Sequence, residues 1–248
     1  NGLLDTVTNN GVLIPLSKGP IFVNYDKEIE SVKAQVKDNG SITINALFGN
    51  SKTSWNKTSD YFKWIIRNDG LLELKTAFAP KNDSESVGFG FSLPKKNVSG
   101  LKWMGQGPQR VWKNRMTGPQ FGVWEKQYNN TMTGTPKVQY PEFKGFHAET
   151  YWAVIKGKNM PDFKVYIKTN DVFLKMLNPD KAKGSRYTAV NFPEQELGFL
   201  HGINGVGTKF HTAADLGPQG SAYRFESKNY KEDKLKLDLV FDFTKNEP

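Results

Sequence analysis

Period-two alternation of apolar and polar residues recurs along almost the whole chain, and it restricts the fold more than any other feature. Near the C-terminus Leu235, Leu237, Leu239, Phe241 and Phe243 alternate with Lys236, Asp238, Val240 and Asp242. Successive side chains of a strand point to opposite faces, so this reads as a half-buried β-strand. The same pattern appears in Leu72/Leu74/Thr76/Phe78, in Val87/Phe89/Phe91/Leu93, in Phe163/Val165/Ile167 and, more briefly, in Ile42/Ile44/Ala46. Asp38-Asn39-Gly40 separates residues 32–36 from 42–48, and Asn68-Asp69-Gly70 separates 61–67 from 71–78. Asn-Gly and Asp-Gly supply the positive φ of a tight turn, so each pair of runs is expected to form an antiparallel hairpin.

No run of 12 or more residues carries a 3.6-residue apolar period, and only short pieces such as residues 193–197 read as helical. Many short strands without crossover helices exclude a doubly wound sheet and a (β/α)₈ barrel. The expected fold class is all-β, a large antiparallel β-supersandwich. Without an internal repeat or a Ser/Pro linker, residues 1–248 read as a single domain, cut from a longer protein. Gly88 and Gly90 lie opposite Phe89 and Phe91, so one face of that strand packs and the other admits close approach by backbone or ligand.

Composition narrows the chemistry. Cysteine is absent, which removes disulfides, thiolate metal sites and cysteine nucleophiles. His147, His201 and His211 are the only histidines, and none stands in metal-ligand spacing with carboxylates, so no metal or other cofactor is expected. Gly202-Ile203-Asn204-Gly205-Val206-Gly207 is glycine-rich but opens no helix, and no phosphate-binding loop or Gly-x-Ser-x-Gly elbow occurs. No segment approaches the ~18 consecutive apolar residues of a membrane span, so no membrane partner is expected. The 34 Lys+Arg against 25 Asp+Glu give +9, but the basic residues are dispersed among acidic ones instead of forming a stripe, which argues against nucleic acid.

Aromatic residues are more informative. Trp103, Trp112, Trp124 and Trp152 fall within about fifty residues of one another, interleaved with Gln106, Gln109, Arg110, Asn114, Arg115, Gln120 and Gln127. Sugar rings present apolar faces that stack on aromatic side chains, and hydroxyls that pair with amide and guanidinium groups. Trp103, Trp124 and Trp152 read as core side chains, whereas Trp112, in a polar, turn-like setting, reads as a stacking platform.

Trp103, Gly105, Gly107, Pro108, Gln109 and Arg115 match a Gly-x-Gly-Pro strand end and the polar run after it. Pro141-Glu142 with Gly145 precedes an expected strand over residues 147–155. Phe199-Leu200-His201-Gly202-Ile203, Gly205-Val206-Gly207 and Asp215-Leu216-Gly217-Pro218 form a late glycine-rich block. In this order the blocks resemble the C-terminal, small-chain β-sandwich of family-two β-galactosidases. The resemblance implies a galactose-mutarotase-like sandwich with an accessory role, the catalytic glutamates belonging to a separate (β/α)₈ barrel. The chain alone is then expected to be inactive, with carbohydrate and the other domains of its polypeptide as partners. The residues it implies for carbohydrate binding at the rim of that site are Gln109, Trp112, Arg115, Glu142, His147, Lys209, His211, Asp215 and Leu216. It further implies a bacterial enzyme exported to the periplasm or beyond.

The sequence departs from the family where an acidic run becomes Arg110-Val111-Trp112-Lys113-Asn114-Arg115, and where Leu216 stands in place of a tryptophan. Lys113, Lys144 and Lys209 beside these blocks suit an anionic or otherwise altered glycan. Two other readings stand beside this one. A free-standing epimerase or polysaccharide lyase would draw its acid and base from Glu142 and the three histidines. A non-catalytic module would bind glycan by itself.

Overall fold

A computed structural model describes residues 1–49, 59–127, 145–177, 192–208, 210–221 and 225–244. The strands are β1 (Val7–Asn9), β2 (Val12–Ile14), β3 (Ser17–Val23), β4 (Ile29–Val36), β5 (Ile42–Phe48), β6 (Tyr61–Ile66), β7 (Leu71–Phe78) and β8 (Val87–Ser92). They continue with β9 (Val98–Gly107), β10 (Gln120–Gln127), β11 (Trp152–Gly157), β12 (Phe163–Ile167), β13 (Phe173–Met176), β14 (Leu197–Gly202) and β15 (Leu235–Asp242). The one α-helical turn among the described residues is α1 (Pro218–Ser221). A nine-stranded antiparallel sheet runs β10-β9-β11-β12-β15-β7-β6-β5-β4, a four-stranded sheet runs β13-β14-β8-β3, and β1 pairs with β2. The all-β sandwich expected from the alternation is what forms.

Both hairpins fall where the turn residues place them. β4 pairs with β5 across Lys37–Ser41, and β6 pairs with β7 across Arg67–Leu71, with Gly40 at φ 79° and Gly70 at φ 84°. Alternation also sorts side chains between layers as expected. Leu237, Leu239, Phe241 and Phe243 enter the core between the sheets, facing Phe89, Phe91 and Phe199 of the smaller sheet. Phe91 meets Phe241 edge-on at 5.4 Å between ring centres, and Phe22 meets Phe78 at 4.6 Å. Tilted and edge-to-face rings fill a sandwich core densely without face-to-face repulsion of their π-systems. This buried cluster draws on residues from Val7 to Phe243.

Three local expectations change. Residues 194–196 are bends and Leu197 already opens β14, so no helix forms there; Leu177 N–H donates to the Glu196 carbonyl, and Leu93 N–H to the Glu196 carboxylate. The strand expected from His147 begins only at Trp152, since Glu149 sits at φ 47°, outside the extended region. The open face at Gly88 and Gly90 is filled from within the chain. A Cβ at Gly88 would stand 2.1 Å from the Phe199 carbonyl oxygen, and one at Gly90 would stand 2.7 Å from Gln195 Cβ.

Candidate functional site

The three blocks that carry the family resemblance are far apart in sequence and meet in space. The first begins at the end of β9, where Gly105 and Gly107 are required by contact. A Cβ on Gly105 would press on the Ala148 and Glu149 carbonyl oxygens at 2.9 and 2.8 Å, and one on Gly107 would enter the Trp124 ring. Trp124 Nε1–H in turn donates to the Gly105 carbonyl at 3.2 Å. Beyond the cis Gly107–Pro108 bond the chain leaves the sheet. Val111 and Phe146 exchange backbone hydrogen bonds of 2.8 and 3.0 Å, joining the first block to the second, and His147 and Leu174 do likewise at 2.9 and 2.8 Å.

The third block is tied in by Lys113 and Asn114. Lys113 N–H donates to the Asn204 carbonyl at 3.1 Å. Asn114 closes a two-point clamp on Val206, its Nδ2 donating to the carbonyl and its Oδ1 accepting from the N–H, both at 2.9 Å. Lys113 Nζ pairs with Glu85 Oε1 at 2.5 Å in a largely buried setting, and Ser86 Oγ bonds Asn204 Oδ1. Glu85 and Ser86 carry no motif of their own, and only their spatial partners reveal them as braces.

What pulls these loops together is a second apolar core. β13 and β14 send Leu174, Met176, Leu197 and Phe199 inward, so Phe173 and Leu200 point out of the opposite face of the small sheet. Left bare, those side chains would face water. Val111, Trp112, Phe146, Ala148, Ile203 and Val206 cover them and form a separate buried cluster.

This cover decides the fate of two expected sugar contacts. Trp112 is 2% exposed, edge-on to Phe146 and Phe192 at 5.5 and 5.3 Å, and its Nε1–H meets no acceptor among the described residues. It therefore offers no face to a sugar in this arrangement, and the stacking expectation is corrected to packing. His147 is also buried, its ring 4.3 Å from that of Trp103. Burial, reinforced by Arg110 and Lys126, pushes its pKa down to about 3. A ring so enclosed and held neutral near pH 7 is poorly suited to touch a sugar or to act as a general acid.

The exposed members of the expected set are Gln109, Arg115, His211, Asp215 and Leu216, all on the braced loops. Asp215 Oδ2 accepts from Thr212 N–H and Oγ1–H, both at 2.7 Å, and these bonds hold its carboxyl below the usual range. Leu216, 37% exposed, ends the 3-10 turn that follows. Glu142 and Lys209, like Lys144, lie outside the described residues. Trp103 is core, as expected, donating Nε1–H to the Gln106 carbonyl at 3.1 Å.

The clamp has a measurable consequence. Asn114→Ala leaves both polar groups of a fully buried Val206 backbone without partners, and is expected to lower stability by about 1–3 kcal/mol. Chemical denaturation would read the loss, and faster hydrogen exchange at the Val206 amide would locate it. An unchanged exchange rate would show that the loop is held without Asn114.

His147 makes a second testable point. Its folded value lies below the 6.5 of an exposed histidine, so between the two the unfolded chain binds a proton that the folded chain refuses. The stabilisation is complete above pH 6.5 and is lost as pH falls towards 3, with a slope of up to about 1.4 kcal/mol per pH unit for one proton. Urea unfolding at several pH values should show this decline, and His147→Gln should flatten it. An equally steep decline in the variant would assign the dependence to other groups.

Fold and loops together define a β-sandwich domain that holds three distant segments as one braced, partly exposed loop face. A family model described as beta galactosidase small chain matches residues 18–231, and the chain belongs to that family. The match runs from β3 past α1 and takes in all three blocks. No curated protein matches the sequence.

Proposed function

We propose that this domain binds carbohydrate through its braced loop face and lends those loops to the rim of an active site whose catalytic carboxylates lie on another domain or subunit. One observation carries the reading. The blocks matched in the sequence converge, and the convergence leaves Gln109, Arg115, His211, Asp215 and Leu216 at the surface while burying the apolar residues that hold them. Amide, guanidinium and carboxylate groups are those that pair with sugar hydroxyls. Glycoside hydrolysis itself needs two carboxyl groups flanking the scissile bond, and membership in a small-chain family fits a domain that completes such a site.

The test is hydrolysis of a panel of aryl β-glycosides, β-galactosides foremost, by the chain alone and by the protein that joins it to its catalytic barrel. Turnover is expected only in the joined protein. There Arg115→Ala or Gln109→Ala should raise KM by about 5–10-fold, the loss of one polar contact to a sugar. Turnover by the chain alone, or variants with unaltered kinetics on every glycoside, would overturn the proposal.

A further inference from the structure

A second polar site lies away from the braced loops, where segment 24–28, the loop after β7 and the turn before β15 come together. Beneath it Asp60 is fully buried, accepts hydrogen bonds from two donors and pairs with a third group by charge. Lys27 Nζ lies 2.6 Å from Oδ2, Lys234 Nζ 2.8 Å from Oδ1, and the Tyr25 hydroxyl 2.9 Å from Oδ2. Two ammonium groups thus share one carboxylate, and the Lys234 side chain is only 10% exposed. Around the rim Lys81 pairs with Asp26 at 3.0 Å, while Lys231 meets no acidic partner among the described residues. These lysines line a pocket of about 290 Å³ with Ala79 and Pro80 as an apolar wall, near the lower size limit of small-molecule sites.

The charges of that lining do not cancel. Lys27, Lys81, Lys231 and Lys234 line it with Asp26 alone as an acidic residue, and even with the buried Asp60 that pairs with Lys27 and Lys234 counted, two positive charges are in excess. Nearby Asp83 accepts from the N–H and hydroxyl of Ser227 at the pocket edge, and Glu226 pairs with Lys228. A half-buried ammonium that shares its only carboxylate gains from an incoming anion, because part of its desolvation is already complete and the Coulombic attraction is weakly screened.

We infer that this pocket binds a single oxyanion, a sulfate, phosphate or carboxylate group, either free or carried on a sugar ring, with Lys27, Lys231 and Lys234 as its partners. The site does not depend on the loop face proposed for carbohydrate. The full chain would be titrated with sodium sulfate at constant ionic strength, following amide chemical shifts around Tyr25 and Lys231. Saturable binding is expected. Lys231→Ala should weaken it about fivefold, the worth of one exposed charge. Asp26→Asn, which removes a competing carboxylate from an exposed position, should tighten it by about the same factor. Neither variant touches the Asp60 cluster, so both should fold. Arg115→Ala should leave sulfate binding unchanged, so failure at one site is separable from failure at the other.

Galactose 6-sulfate, galacturonate and neutral galactose then distinguish the sources. Tighter binding of an anionic sugar than of sulfate, with none by galactose, assigns a sugar-borne group, and the reverse order assigns a free ion. No saturation up to roughly 10 mM sulfate, which is weaker than a specific site would give, overturns the inference. So does binding that both variants leave unchanged.

Discussion

Trp112→Ala is expected to lower the stability of the domain by about 3–5 kcal/mol, the usual cost of truncating a buried aromatic side chain. Trp112 fills the centre of the second core, between Phe146, Phe192 and the outward face of the small sheet. Its removal leaves a cavity under the loops that carry Gln109 and Arg115, so those loops should loosen before the main sandwich does. Trp112→Phe keeps the ring contacts with less volume and should cost clearly less. Thermal unfolding measures the loss, and near-ultraviolet circular dichroism should show that the environment of the other tryptophans is largely retained. Any loss of sugar affinity should then follow the loosening and shrink on cooling. A variant that keeps full stability but loses sugar binding would return Trp112 to the surface as a stacking platform.

That a tryptophan in a polar run proved to be core marks the limit of reading this chain locally. In β15 the alternation of Leu237, Leu239 and Phe241 states directly which face is buried, because a strand sends every second side chain to the same face whatever comes to cover it. The hairpins are equally direct, since Gly40 and Gly70 supply their own backbone geometry. Trp112 differs because it stands in no alternating run, and its burial is decided by Phe173, Leu200 and Phe146 of other segments. No window around Trp112 contains the fact that β13 and β14 present apolar side chains on both faces. The same holds for the braces. Asn114 was legible as a polar residue near a turn, but its partner Val206 lies 92 positions away, and a hydrogen-bond clamp of that span has no local period. The family blocks were legible as motifs, and their glycines make sense only once the Ala148 and Glu149 carbonyls and the Trp124 ring are seen against them.

The Asp60 cluster is the extreme case, and it sets the other large effect. Lys27, Asp60 and Lys234 are scattered along the chain, yet one carboxylate holds two ammonium groups and a phenol. Burial alone would raise the Asp60 carboxyl, but the ammonium groups of Lys234 and Lys27 and the Tyr25 hydroxyl outweigh it and hold it below the usual 3.8. Burial together with Asp60 pushes the Tyr25 hydroxyl far above its ordinary range, so it remains a donor. Asp60→Ala removes the only negative charge among them and leaves two partly buried ammoniums facing each other. The expected cost is about 3–5 kcal/mol, that of breaking one side of a buried ion cluster. Because the penalty comes from uncompensated charge, adding Lys27→Met to Asp60→Ala should restore part of the loss. The wild-type contribution is complete above pH 3.8 and disappears as pH falls through the lower folded value. Acid unfolding should therefore begin with His147 below pH 6.5 and steepen with Asp60 below pH 3.8. Urea midpoints for the single and double variants across that range decide the matter: an Asp60→Ala protein as stable as wild type, or one that Lys27→Met destabilises further, would show that the cluster does not hold these segments together through charge.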